Sequence, residues 1–213
     1  MKSAGVFRLA VLASGSGTNL QAIIDKLHFR RYGDSPLIEV ALVVSDVPGA
    51  RALERAQLAD IPTAVFPLAN YPNREARDCA MALAVQAAGV DLVVLAGYMR
   101  LLSRPFLEMF PWRVINLHPA LLPAFPGTTS ISDALRYGVK VTGVTVHFVD
   151  EGLDTGPVIA QEPVRVQEDD TLESLAARVH AVEHELLPRV IGLFAQGKVE
   201  PPPPGSRVVR VRS

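Results

Sequence analysis

Apolar residues in the first half of the chain form short continuous runs that alternate with segments of helical spacing. Residues 7–13 are a mainly apolar run without lasting alternation, which predicts a strand buried on both faces. The next apolar positions recur every three or four residues and predict an amphipathic helix: Leu20, Ile23, Ile24 and Leu27. The same order continues with predicted strands at 38–45, 63–66 and 91–96 and predicted helices at 49–59 and 74–88. Strands that alternate with helices predict an α/β fold, here a Rossmann-like, mostly parallel twisted sheet with helices on both faces.

The second half of the chain has a different pattern. Apolar runs and helical spacing predict three more strands and one long helix, at 113–118, 142–150, 158–166 and 172–194. A proline-rich loop follows the first of these strands. No linker divides the chain, so we expect a single domain over residues 1–199. Residues 200–213 are rich in proline and arginine, which predicts a flexible tail.

The composition of the 213-residue chain excludes several classes of function. Its formal net charge is −1, so no overall positive field attracts nucleic acid. The longest strongly apolar run, 92–99, is far shorter than the ~18 residues of a membrane span. Cys79 is the only cysteine and has no partner for an internal disulfide, which fits a reducing compartment. We therefore expect a soluble, cytoplasmic protein with neither nucleic acid nor a membrane as a partner.

The loop between the first predicted strand and helix has the composition of an anion site. Its backbone amides and the positive end of the helix dipole favour a phosphate, which glycines and polar side chains can approach: Gly15, Ser16, Gly17, Thr18 and Asn19. The alternative is a tight turn capped by Thr18. The third glycine of a dinucleotide fingerprint is replaced by Leu20, and no Gly-Lys-Ser/Thr of a P-loop is present. We therefore expect a monophosphate here rather than NAD or ATP.

Two further segments carry candidate catalytic groups. Asn116 and His118 lie two residues apart in a predicted strand, so they share a face at its carboxyl end, where ligands bind in α/β sheets. An amide and an imidazole can stabilise an oxyanion and transfer protons, although both could instead satisfy backbone groups under the proline-rich loop. Asp154 lies in a tight Gly/Pro loop and is the better carboxylate candidate, whereas Asp150 and Glu151 fit a solvated acidic turn.

The long helix contains a pattern that could suggest a metal. His180, Glu183 and His184 have the H-x-x-E-H spacing of some zinc peptidases. A zinc site needs a third protein ligand within reach, and only Glu185 and Glu200 follow as carboxylates, so we expect no metal. Glu183 lies on the apolar stripe of the helix, so it is either at the edge of that stripe or bonded to a partner.

Several motifs, in a fixed order along the chain, resemble one known family. SGSGTNL, NLHP, VDEGLDTGP and VEHELLP are similar to segments of the folate-dependent formyltransferases, and the first and last of them resemble the glycinamide ribonucleotide formyltransferase branch. The resemblance covers nearly the whole chain. It implies a one-carbon transferase of de novo purine biosynthesis that uses 10-formyltetrahydrofolate as a co-substrate, glycinamide ribonucleotide as the acceptor, and no metal.

The resemblance also assigns roles to residues. It implies a catalytic triad of Asn116, His118 and Asp154, in which Asn116 and His118 stabilise the oxyanion and His118, with Asp154, transfers protons. The ribonucleotide residues that it implies are Gly15, Ser16, Gly17, Thr18, Asn19 and, toward the substrate amine, Glu183. The implied folate residues are Arg74, Met99, Arg100, Leu101, Leu102, Asn116, Asp150 and Asp154. The Leu122–Pro123 bond is expected to be cis, and the segment 127–132 lacks the histidine that many members carry.

Three other functions are weighed against this interpretation. A formyltetrahydrofolate deformylase would share the triad but use water as the acceptor, and it usually has an extra N-terminal domain. A methionyl-tRNA formyltransferase normally has a basic C-terminal domain, for which the tail is too short. A non-catalytic nucleotide-binding module would not need the triad. The expected partners are small-molecule substrates, and a homodimer is also compatible with the sequence.

Overall fold

The computed structural model describes residues 5–212, in which a central sheet organises the chain. Its strands are β1 (Val6–Leu12), β2 (Leu37–Ser45), β3 (Thr63–Val65), β4 (Leu92–Leu95), β5 (Val114–His118), β6 (Val141–Phe148) and β7 (Val158–Arg165). They lie in the order β3-β2-β1-β4-β5-β6-β7. The first five strands are parallel, whereas β6 runs antiparallel to both β5 and β7. The mostly parallel sheet predicted from the sequence is confirmed.

In the described part of the chain, six α-helices cover the two faces of the sheet: α1 (Thr18–Leu27), α2 (Arg51–Leu58), α3 (Arg74–Ala87), α4 (Arg104–Met109), α5 (Ser130–Tyr137) and α6 (Leu172–Ala195). Helices α1, α2, α5 and α6 pack on one face, and α3 and α4 pack on the other. Strand β1 lies between the two layers, since Leu9 and Val11 belong to one apolar cluster and Ala10 and Leu12 to the other. Burial on both faces explains its continuous apolar run. Within residues 5–212, no helix combines the length and the apolar character needed to cross a membrane.

Two helices are absent from the sequence prediction. Helix α4 has six residues, which is too short to show a clear apolar period, and α5 has eight. Both follow loops at the carboxyl edge of the sheet. Helix α5 begins within the segment that departs from the family pattern.

The tail that the sequence predicts to be flexible has a defined path in the structure. A short β8 (Val199–Glu200) pairs with β9 (Arg210–Val211) in antiparallel orientation. The backbone N–H of Arg212 donates to the Lys198 carbonyl at 2.9 Å, and Val209 packs against the main apolar cluster. Proline content alone does not reveal these contacts, because they join the tail to residues that precede it in the chain.

The residue that caps the start of α1 is Gly17 and not Thr18. Gly17 occupies the N-cap position with φ +71°, and Thr18 is the first helical residue, so Thr18 does not cap the helix. A Cβ atom on Gly17 would lie 2.7 Å from the Ala52 Cα atom of α2. Both the left-handed backbone and the close approach of α2 therefore require glycine at this position.

We expect Gly17→Ala to lower the free energy of unfolding by about 2–4 kcal/mol, because it adds a strained backbone to an overpacked contact. Gly15→Ala is the matched control in the same loop, since a Cβ atom on Gly15 would meet nothing within 4 Å. Urea denaturation of both variants measures the difference. Equal stability of the two variants would contradict this explanation of the turn.

Candidate active site

Two neighbouring cavities open at the carboxyl ends of β1, β4 and β5. The first, the Asp154 cavity, is lined by all three predicted catalytic residues: Asn116, His118 and Asp154. The second, the glycine-loop cavity, is lined by loop residues 14–19 and by Glu183. The two cavities share a wall made of Gly97, Met99, Leu117, Pro119 and Thr128. A ligand in one cavity would therefore lie next to a ligand in the other.

The structure brings the predicted triad together. Asn116 and His118 both reach Asp154 from the same face of β5, as their spacing predicts. The Asn116 Nδ2 atom donates to Asp154 Oδ1 at 3.3 Å. The His118 Nδ1 atom lies 3.5 Å from Asp154 Oδ2, at the distance of an ionic contact.

The loop between β6 and β7 holds the Asp154 carboxylate in a fixed place. The backbone at Asp154 is left-handed, with φ 55°, which costs roughly 1–3 kcal/mol for a residue other than glycine. The backbone N–H of Gly127 donates to Asp154 Oδ2 at 2.8 Å. Within the loop, Asp150 Oδ1 accepts from the Thr155 hydroxyl at 2.6 Å. Asp150 thus braces the loop and also lines the Asp154 cavity.

Two opposing effects set the ionisation of Asp154. Burial raises the pKa of its carboxyl, because a charge is poorly solvated there. The polar His147 ring, the Gly127 N–H and the charge that His118 can carry lower that pKa by more. The net pKa of Asp154 lies below its ordinary value, so Asp154 is a carboxylate at neutral pH.

The hydrogen bonds of His118 determine which nitrogen can exchange a proton. Its Nε2 atom lies 2.8 Å from the Phe125 carbonyl oxygen. A carbonyl oxygen only accepts, so Nε2 carries a hydrogen and Nδ1 is the nitrogen that faces Asp154. A proton taken up at Nδ1 produces an imidazolium beside a carboxylate. Asp154 is therefore placed to stabilise the protonated form of His118.

His147 is a neighbour of the triad that the sequence analysis missed. It lies opposite Asn116 in the β5–β6 pairing, with its Nε2 atom 3.1 Å from Asn116 Nδ2 and 3.7 Å from Asp154 Oδ1. Its Nδ1 atom lies 2.8 Å from the Phe148 carbonyl, so Nδ1 donates; in the neutral ring Nε2 accepts from Asn116, whereas in the protonated ring Nε2 faces Asp154 as a donor. His147 thereby orients the Asn116 amide. Only the register of two antiparallel strands reveals this contact.

A second missed residue, Asp46, fixes the wall between the cavities. Its Oδ1 atom accepts from the Ser14 hydroxyl at 2.5 Å, and its Oδ2 atom accepts from Arg100 Nε at 2.9 Å. The Ser14 oxygen in turn accepts from the Met99 N–H at 2.9 Å. Of the predicted folate residues, all four at positions 99–102 line the Asp154 cavity. Arg74 begins α3 and lines neither cavity.

Glu183 is a buried, bonded carboxylate in the glycine-loop cavity. Its Oε2 atom accepts from Asn19 Nδ2 at 2.9 Å and from His180 Nδ1 at 2.9 Å. The hydrogen bond to Glu183 raises the pKa of His180 above its ordinary value, although burial partly opposes this. Asn19 Oδ1 and Ser130 Oγ are buried here without a hydrogen-bond partner among the described residues. Such oxygens are costly to bury unless a ligand or water pairs with them.

The H-x-x-E-H pattern has a different role in the structure. Glu183 accepts hydrogen bonds from Asn19 and His180 and so links helix α6 to the start of helix α1. Among residues 5–212, no group of three or more His, Cys, Asp or Glu side chains is placed to hold a metal ion.

We expect Glu183→Gln to lower the pKa of His180 toward its ordinary 6.5, because the substitution removes the charge and keeps the side-chain size. A raised pKa contributes stability below 6.5 that is lost as the pH rises through the folded-state pKa. The stability difference between parent and variant should therefore shrink at alkaline pH. NMR titration of the histidines measures both pKa values, and His28, bonded in a different part of the fold, is the internal control. An unchanged His180 titration would show that Glu183 does not set its charge.

Comparison with known proteins identifies the family. The formyl transferase family matches residues 7–191. A phosphoribosylglycinamide formyltransferase of Bacillus subtilis is 44% identical over 184 residues, which cover 86% of this chain and 92% of that protein. One of Mycobacterium tuberculosis is 47% identical over 188 residues, which cover 88% and 85%. A crystal structure of glycinamide ribonucleotide transformylase 1 from Symbiobacterium toebii, 49% identical, matches with a TM-score of 0.91 and covers 99% of this chain and 96% of that one. The chain therefore belongs to the formyl transferase family.

Proposed function

We propose that the protein transfers the formyl group of 10-formyltetrahydrofolate to the amine of glycinamide ribonucleotide. The observation that carries this proposal is the position of Asn116, His118 and Asp154 beside the wall that joins two cavities. The glycine-loop cavity has the features of a phosphate site, and the Asp154 cavity has a largely apolar lining beside the triad. Two substrates bound in this way would meet at the triad.

The ribonucleotide is assigned to the glycine-loop cavity. Its phosphate fits the backbone amides that begin α1, where the helix dipole also favours an anion. His180 lines the same cavity and can add a positive charge. Glu183 lines this cavity but not the Asp154 cavity, and its partner Asn19 belongs to the phosphate loop. These contacts support assigning Glu183 to donor groups of the ribonucleotide near the phosphate, whereas the family resemblance implies the amine end.

The folate is assigned to the Asp154 cavity. Met99, Leu101, Leu102 and Leu153 provide apolar surface for a flat ring system. Asp150 lies at the same opening. Asp46 holds Arg100 directly, and it holds the Met99 backbone through Ser14, before a ligand arrives. A formyl group carried into this cavity would lie near Asn116 and His118.

The chemistry follows from the hydrogen bonds of the triad. The substrate amine attacks the formyl carbon, a new C–N bond forms, and the carbonyl oxygen becomes an oxyanion. Asn116 Nδ2 can donate to this oxyanion by giving up its longer bond to Asp154, at 3.3 Å. His118 can accept the amine proton at Nδ1, directly or through water, and return it to the folate nitrogen as the old C–N bond breaks. Asp154 stabilises the intermediate imidazolium.

The test is incubation of the enzyme with 10-formyltetrahydrofolate, with and without glycinamide ribonucleotide. The proposal predicts that formyl loss depends on the ribonucleotide and that the formylated ribonucleotide accumulates. Equal loss of the formyl group without the ribonucleotide would instead identify the deformylase alternative. No reaction in either case would favour a nucleotide-binding module. A cytoplasmic location, the absence of nucleic-acid and membrane partners, and a homodimer stay sequence-based predictions.

We expect Asn116→Ala to lower kcat by about 10²–10³-fold, the usual effect of losing one oxyanion donor, with little change in the binding of either substrate. Steady-state kinetics and equilibrium binding of each substrate measure the two effects separately. Asn70→Ala is the control, because Asn70 is exposed and lines neither cavity. A large rise in KM with an unchanged kcat would remove Asn116 from the oxyanion site.

A further inference from the structure

The C-terminal tail reaches back to the loop that carries Asp154. The Arg207 Nη2 atom donates a hydrogen bond to the Thr155 carbonyl, one residue after Asp154. Arg207 also lines a surface depression together with Leu153, Asp154 and Thr155. Leu153 and Asp154 line the Asp154 cavity as well, so the loop separates this depression from the active site.

Arg207 is carried by a segment that is itself anchored. The β8–β9 pairing brings the end of the tail back to Val199, and Arg212 forms an ion pair with Glu200. Val209 packs against the main apolar cluster only two residues beyond Arg207. These contacts limit the positions that the Arg207 backbone can take. The bond to Thr155 therefore starts from a restrained position, which reduces the entropy lost in forming it.

The Asp154 loop requires such restraint. Its left-handed backbone at Asp154 persists only if surrounding contacts stabilise it. On the cavity side, these contacts are the bonds from Asn116 and from the Gly127 N–H. On the other side, the Arg207 guanidinium binds the peptide that follows. The loop is therefore bonded on both sides.

We propose that Arg207 is a positioning residue for Asp154. By binding the Thr155 carbonyl, it fixes the orientation of the loop and with it the distances from the Asp154 carboxylate to Asn116 and His118. This inference rests on the proposed function, since formyl transfer is the activity that reports the position of Asp154. Arg207 lines neither substrate cavity, so its removal affects the chemical step and not substrate binding.

The test compares Arg207→Met, which has no donor, with Arg207→Lys, which keeps one. Arg207→Met should lower kcat by roughly 3–10-fold, the effect of one exposed, charge-assisted hydrogen bond, with both KM values and the melting temperature unchanged. Arg207→Lys should keep most of the parental kcat. Arg210→Ala is the control in the same tail and should match the parent, because no side-chain bond of Arg210 is seen among residues 5–212. Arg207→Ala, a second variant without a donor, separates the lost bond from any packing effect of Met.

Three results would overturn the proposal. The first is a kcat for Arg207→Met and Arg207→Ala equal to that of Arg210→Ala. The second is an equal loss in Arg207→Lys, which would show that the hydrogen bond is not the cause. The third is a fall in activity that follows a fall in melting temperature or a rise in KM. Failure of the proposed function itself would be distinct, because the parent enzyme would then show no ribonucleotide-dependent transfer.

Discussion

The Asp154 carboxylate joins segments that are far apart in the chain, and the arrangement of the active site depends on it. It accepts from Asn116 on β5 and from the Gly127 N–H, and it faces the rings of His118 and His147. Burial alone would favour the neutral acid, but these donors and potential cations lower the pKa and retain the charge. The charge then orients the amide and imidazole that we propose act on the substrate. A neutral group of the same shape could not stabilise a protonated His118 in this way.

The order of the sheet explains why the glycine-loop cavity lies next to the cavity that contains this carboxylate. Strands β1, β4 and β5 are adjacent and parallel, so the loops that follow them share one edge. The loop after β1 lines the glycine-loop cavity, and the loop after β4 supplies Gly97 and Met99 of the dividing wall. The change to antiparallel pairing at β6 then places His147 opposite Asn116. Asp46, at the end of β2, connects the loop after β1 with the loop after β4, because it accepts hydrogen bonds from Ser14 and Arg100.

Local patterns in the sequence predict part of this arrangement. The alternation of strands and helices predicts the sheet, and the two-residue spacing of Asn116 and His118 predicts their shared face. The position of Glu183 on an apolar stripe leaves two alternatives, the edge of the stripe or a bonded carboxylate, and the structure has the second. The Leu122–Pro123 bond is cis, as the family resemblance implies. Features that depend on tertiary contacts are not predicted: the strand register that places His147, the Gly127 amide, and the role of Asp46. The hydrogen bond from Arg207 in the tail is not predicted either, because its partner, the Thr155 carbonyl, lies in a loop distant in sequence.

The most direct measurement is an NMR titration of the Asp154 carboxyl carbon in the unliganded protein, assigned by comparison with Asp154→Asn. The expected result is a pKa below the ordinary value of 3.8 for aspartate, because the surrounding donors and histidine charges outweigh burial. The carboxylate would then be ionised throughout the neutral range and available to stabilise a protonated His118. A pKa well above 3.8 would show that burial dominates. If that pKa reached the neutral range, Asp154 would be largely a neutral acid, and the organisation of the site around its charge would be wrong.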